Sequence, residues 1–253
     1  MTTACVAPPS DAARSAAALV LGEGVARGAA LMPDADTALR AVAAGTCEVA
    51  VVPWEDSHAG TATDTVDALV FTPGDLVVCA EVDRVEDGRT TRWVAVRAAD
   101  DAARPAVGDR VQTLLFAVPH LNRPGSLTEM LAAFSSRGIN VTRFEPRPLH
   151  AALGMYGFLL EVEGHPADPW LADALADLLT ASSVVTHLGT WEAGTRAWSA
   201  VTGRAPEGPV VRDRADVVAL GERWSPATTS RDTDGSGGAE PAGPVPDADR
   251  VDP

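Results

Sequence analysis

The sequence predicts two units in series: an α/β layer over residues 1–97, then an α+β unit of βαββαβ order, ferredoxin-like, over residues 110–192. Two observations carry this. In the first hundred residues, short apolar runs alternate with stretches of helical period. From Val111 to Trp191 the runs fall as strand, helix, strand, strand, helix, strand, most of them bounded by glycine or proline. Between the units lies 98–109, small and polar in composition, which reads as a linker.

Taken in order, residues 4–7 suit a short strand, and Ser10 is placed to cap a helix over Asp11–Leu21. Residues 34–44 form a second helix with Leu39, Val42 and Ala43 turned inward and Gly45 stopping it. Residues 48–52 read as a buried strand ending at Pro53. A loop over 54–60 then feeds a short helix at 64–69. This alternation favours a parallel sheet with function at the carboxyl ends of its strands. Two β-rich runs, 77–85 and 91–97, flank Asp87-Gly88 and read as a hairpin.

In the second unit, strand 111–118 leads through the loop 119–124 to a helix beginning near Gly125, with Pro124 tolerated in its first turn. Leu127, Met130, Leu131 and Phe134 mark its buried face, and Gly138 stops it. A strand over 139–144 ends in Glu145-Pro-Arg-Pro148, and another covers 155–162. A helix with Leu171, Ala174, Leu175, Leu178 and Leu179 on one face precedes the last strand, 183–188. Residues 193–224 form an extension with one short helical stretch. Residues 225–253, mostly Pro, Gly, Ala, Ser, Thr and Asp, read as a disordered tail.

A net charge of −15 argues against nucleic acid or an anionic membrane as partner. No apolar run is long enough to span a bilayer, and no secretory leader is expected. Cys5, Cys47 and Cys79 lack metal-ligand spacing and read as reduced buried thiols of a cytoplasmic protein, with no metal and no cofactor. Every basic residue other than histidine is arginine, which removes Schiff-base and lysine-base chemistry.

Several blocks in the second unit resemble one family. Asn122, Pro124-Gly-Ser-Leu127, Ile139-Asn-Val-Thr142, Glu145-Pro-Arg-Pro148, Tyr156, Glu163-Gly-His165 and Leu188-Gly-Thr-Trp191 are similar to the ACT domain that ends prephenate dehydratases. Ser126, Thr128, Pro146, Thr190 and Trp191 depart from its usual pattern. In the first unit, Val51-Val-Pro-Trp-Glu-Asp-Ser57, Gly60 and Thr65-Val-Asp-Ala-Leu69 resemble the dehydratase block, and Thr91-Arg-Trp93 resembles its Thr-Arg-Phe. The resemblance implies one lobe of a periplasmic-binding-protein-like pair followed by an ACT domain. It implies catalytic roles for Thr91, Arg92, Glu55 and Ser57. It also implies L-phenylalanine held by Asn122, Pro124, Gly125, Ser126 and Leu127 at a helix start, with Glu145 and Arg147 from the adjacent strand. A homodimer or tetramer through the ACT domains is the implied assembly.

Three departures bear on activity. The glycine-rich opening segment is replaced by Val6-Ala-Pro-Pro-Ser10. Asp56 stands where the family has asparagine, adding a charge that repels a dianionic substrate. The family's second lobe, inserted between the two dehydratase blocks, is replaced by the Asp87-Gly88 hairpin. Each residue also has a plain structural reading: Glu55 and Asp56 as turn caps, Thr91 as an ordinary strand residue, His58 as a solvated loop histidine, and Glu145–Arg147 as an exposed ion pair. Two functions stay open. One is an amino-acid-binding regulatory protein with a degenerate catalytic lobe; the other is an active dehydratase converting prephenate to phenylpyruvate, water and carbon dioxide.

Overall fold

A computed structural model of the chain describes residues 2–99 and 110–193. Most of the expected linker, the extension and the tail lie outside these residues. The first half runs β1 (Thr2–Val6), α1 (Asp11–Leu21), α2 (Glu23–Gly28), β2 (Ala30–Leu31), α3 (Ala35–Ala43), β3 (Cys47–Asp56), β4 (Gly60–Thr61), α4 (Thr63–Phe71), β5 (Leu76–Glu86) and β6 (Arg89–Ala98). Ser10 caps α1 by accepting the Ala13 N–H at 3.1 Å, and Asp34 caps α3 by accepting that of Thr37 at 2.7 Å. Two short strands and α2 had no signal in the sequence. The expected loop from residue 54 is corrected: β3 continues past Pro53 to Asp56, because its neighbour β6 pairs with it that far. The hairpin expectation holds. β5 and β6 pair antiparallel from Leu76↔Ala98 to Glu86↔Arg89, and Asp87 and Gly88 both take positive φ (49° and 74°), as a two-residue turn between twisted strands requires.

The second half runs β7 (Val111–Pro119), α5 (Ser126–Ser135), β8 (Val141–Pro148), β9 (Tyr156–Glu163), α6 (Pro169–Ala181) and β10 (Ser182–Glu192). Glu145-Pro-Arg-Pro148 lies inside β8 rather than after it; β8 is a sheet edge, where a proline breaks no ladder. Met130 and Phe134 are buried as expected. Leu127 and Leu179 are instead exposed, because the helix faces settle on Ala133 and on Leu171, Ala174 and Leu178. Among the described residues no helix is long and apolar enough to cross a membrane.

The ten strands of the described residues form one mixed sheet. Its order is β2-β1-β3-β6-β5-β10-β7-β9-β8, with β4 beside β3. Among the described residues only β1–β2, β1–β3 and β5–β10 pair in parallel, so the expected parallel sheet is confined there to one edge and one seam. At that seam Gly189 lies opposite Val78 with φ +138°, and a Cβ there would meet the Val78 carbonyl oxygen at 2.2 Å. Helices α1 and α2 cover one face of the first half, with Trp93 and Val51 beneath them. On the second half, α5 and α6 cover Leu115, Leu160 and Val162. The opposite face is shared: Leu39, Val42, Val66 and Leu69 of α3 and α4 pack with Trp54, Leu114, Phe116, Leu159 and Trp191 from both halves. The sheet therefore curls into a trough filled by α3 and α4. Its far strand β8 returns to β3 and β4, six places away in the sheet, through Arg143.

Candidate functional site

Neighbouring residues of the expected catalytic set fall on opposite sheet faces. Alternation along β6 sends Thr91 and Trp93 to the face lined by Pro53, and Arg92 and Val94 into the trough. On β3, alternation alone would put Glu55 with Pro53 on the outer face. A register shift between Pro53 and Glu55 makes Trp54 a bulged extra residue. Trp54 and Glu55 consequently both face the trough, and Asp56 turns outward beside Thr91.

The outer face is an open cleft of about 730 Å³, lined among others by Ser10, Pro53, Asp56, His58, Arg89, Thr91 and Trp93. Asp56 is its electrostatic centre. One oxygen accepts the His58 and Ala59 amides, both at 2.9 Å; the other accepts Arg89 Nε at 2.6 Å and the Thr91 hydroxyl at 2.8 Å. The Arg89 guanidinium, followed by these amides and the Thr91 hydroxyl, holds the Asp56 carboxyl far below the usual carboxylate range. The charge expected to repel a substrate thus arrives paired with a guanidinium from the hairpin turn. Thr91 spends its proton on Asp56. Ser57 accepts the Thr90 amide at 2.9 Å and lies 3.1 Å from His58 Nδ1.

The trough face is ionic. Arg92, with 8% of its side chain exposed, binds both Asp83 oxygens at 2.8 and 3.0 Å and lies 3.8 Å from Glu55 and 3.6 Å from Glu81. Arg143, equally buried, binds Glu55 at 2.6 Å and Thr61 at 3.0 Å, lies 3.6 Å from Glu161, and has its guanidinium carbon 5.2 Å from the Trp54 ring centre. Burial pushes the Glu161 carboxyl up; Arg143 opposes this and Glu81 adds to it.

The expected amino-acid contacts divide similarly. Asn122 reaches the Gly154 carbonyl at 3.4 Å on an exposed loop, where Leu121, Leu127, Leu153, Met155 and Tyr156 are also exposed. Gly125, at φ +94°, turns the chain after Pro124 into α5. Two amides expected to be open are used locally: Arg123 donates to Ser126 Oγ and Ser126 to the Arg123 carbonyl. Glu145 and Arg147 bond each other at 3.1 Å but face the trough. Arg147, only 7% exposed, donates Nε to Asp67 of α4 at 2.8 Å, with Nη2 on the same oxygen. With Arg147 buried and Glu145 half-buried, the pair is not the exposed ion pair of the plain structural reading. Thr61 donates to Glu145 at 3.0 Å.

Sequence reasoning missed Arg89, Arg143 and Glu161, and met Asp67 only as a member of the block Thr65–Leu69, with no role. Two of them left a signal. Arg143, Glu145 and Arg147 recur at the strand period of two, which aligns them on one face, and Glu161 interrupts the apolar run Leu159-Leu160-Glu161-Val162. The described residues hold no cluster of metal-ligating side chains.

No family model matches the chain. In sequence it is 34% identical over 188 residues to the prephenate dehydratase of Amycolatopsis methanolica, a match covering 74% of this chain and 60% of that relative. The chain thus spans about three fifths of the length of the relative it matches. Among solved structures it is similar to the prephenate dehydratase of Arthrobacter aurescens in complex with L-Phe, with a TM-score of 0.65 at 22% identity, covering 88% of this chain and 98% of that one. It is also similar to GqqA, described as a novel type of quorum quenching acylase, with a TM-score of 0.62 at 28% identity, covering 76% and 95%.

Proposed function

We propose, for a chain that belongs to the prephenate dehydratase family, that it serves L-phenylalanine supply by binding an aromatic amino acid rather than by turning over prephenate. The observation that carries this is the split of three of the expected catalytic residues: Thr91 lies on the open cleft, while Glu55 and Arg92 lie behind the sheet in the ionic trough. Dehydration with decarboxylation needs a proton donor for the departing hydroxyl and cationic or hydrogen-bonding groups around two carboxylates, converging from both sides of a site that excludes water. In the cleft the Thr91 proton and the Arg89 guanidinium are both directed to Asp56. The hairpin β5–β6 stands where a second wall would be anchored.

The antiparallel order β10-β7-β9-β8, with two helices on one face, supports reading 110–192 as an ACT regulatory unit. The exposed apolar residues around Asn122 support ligand and partner-copy contact at that edge. The experiment is phenylpyruvate formation from prephenate by the purified chain and by its Thr91→Ala and Glu55→Ala variants. The expected rate is that of the uncatalysed reaction in all three. A rate well above it, lost in both variants, overturns this reading in favour of an active dehydratase.

A further inference from the structure

We infer that the groove between α1 and α2 is a binding site for a small phosphate monoester with an apolar body, held by Arg14 and Arg27.

Two helices joined at one glycine build the groove. Gly22, at φ +87°, ends α1 and precedes α2. From α1 come Arg14, Ser15, Ala18 and Leu19, spaced one turn apart in pairs and so on one face. From α2 come Glu23, Ala26 and Arg27, at the same helical spacing. The space they border is about 370 Å³, the scale of a small-molecule site.

Charge sets this groove apart. The chain has 35 acidic residues against 20 basic ones other than histidine, so carboxylates are in ample supply. Every other arginine of the described residues has a carboxylate or a further partner. Among those residues Arg14 and Arg27 alone have neither an ion pair nor a side-chain hydrogen bond, and both border the same groove. Arg14 is half-buried, so it is partly withdrawn from water with nothing in exchange. Glu23 stands at the i, i+4 spacing from Arg27 that commonly pairs, yet it does not pair. The hydroxyl of Ser15, half-buried in the middle of α1, makes no bond back to the preceding turn and is a third donor.

The number of acceptors selects the ligand. A carboxylate has two oxygens and one charge, which a single guanidinium fork saturates. A phosphate monoester has three terminal oxygens and a charge of about −1.5 to −2 at neutral pH, enough for two guanidiniums and a hydroxyl. Small residues, Ala18 and the buried Ala26, leave room between the helices, and Leu19, 63% exposed beside them, offers apolar surface to the body of the ligand.

The test is calorimetry of phenyl phosphate with the full chain and with its Arg14→Gln, Arg27→Gln and Arg40→Gln variants. Arg40 is an exposed arginine paired with Asp36 and serves as the control for loss of charge alone. Saturable binding should weaken about tenfold in each of the first two variants, the scale of one charge-assisted hydrogen bond, and stay unchanged in the third. Inorganic phosphate and benzoate should each bind less tightly than phenyl phosphate, the first for want of a body and the second for want of acceptors. Affinity should also fall as pH drops through about 6, where the phosphate dianion takes up a proton. No saturable binding at about millimolar phenyl phosphate, an affinity that Arg14→Gln or Arg27→Gln leaves unchanged, an equal loss in Arg40→Gln, or benzoate binding as tightly overturns the inference. None of these readouts depends on L-phenylalanine binding or on prephenate turnover.

Discussion

The two faces of the strand pair β3–β6 carry the same motif residues into opposite environments. On the outer face, Asp56 and Thr91 stand in an open cleft, bonded to each other, to Arg89 and to the turn over residues 57–59. On the inner face, Glu55 and Arg92 enter an ionic network built on buried arginines that reaches Asp83 and Arg143 and, through Glu145 and Arg147, ends at Asp67. One bulged residue, Trp54, decides which of Glu55 and Asp56 goes where. Adjacent residues of a motif are therefore not a site until the sheet has sorted them. In this chain it sorts them into a set on the open cleft that is locally satisfied and a set in the trough that binds the two halves together.

The largest test of that contrast is at the seam that closes the trough. Gly189→Ala forces a Cβ into the Val78 carbonyl at a φ disfavoured for L residues, and chemical denaturation should show a loss of about 3–5 kcal/mol. Next comes Arg143→Ala, which removes the guanidinium that Glu55, Glu145 and Glu161 share. The expected loss is about 3 kcal/mol, at the low end for a buried pair because Glu55 is 41% exposed. A loss below about 1 kcal/mol would place the network with ordinary surface pairs and erase the difference between the faces.

A smaller effect separates the faces by pH. Glu161 has its pKa raised, so its contribution is fully present below the ordinary value of 4.5 and is lost as pH rises through its folded value. Stability of the unmodified chain should decline across that window, and Glu161→Gln should flatten the profile. Asp56 runs the opposite way. Its pKa is lowered, so its contribution holds above the ordinary 3.8 and fades only as pH falls towards its folded value. The smallest expected change is Asp56→Asn, which restores the neutral amide on an open cleft. Its denaturation midpoint at neutral pH should fall modestly, the difference from the unmodified chain should shrink as pH drops below the ordinary 3.8, and its prephenate turnover should stay at background.

Most of the fold was legible because local chemistry fixed it. Ser10, Gly45, Asp87-Gly88 and Gly138 punctuate the chain where the elements change, and each acts over a few residues. What escaped depended on partners distant in sequence. The extension of β3 to Asp56 exists because β6 pairs with it there, and the exposure of Leu127 follows from how α5 settles on β7 and β9. The candidate site was legible by name and not by arrangement. Thr91 and Arg92 were found together, yet nothing nearby in sequence announces the Trp54 bulge that divides Glu55 from Asp56. Arg89 could not be foreseen as the partner of Asp56, since a hairpin turn shows no sign of which neighbouring strand it will lean upon.

The parallel seam also sets a timetable. Val78 leaves the ribosome about a hundred residues ahead of Gly189, its registered partner across the seam. Until β10 arrives, β5 presents an open edge, and Val78, Leu114 and Trp191 cannot share one core. During synthesis the first half is therefore a sheet waiting for its neighbour. Its vulnerability to unwanted strand pairing should be greatest in nascent chains that stop short of residue 182 and should end when the final strand docks.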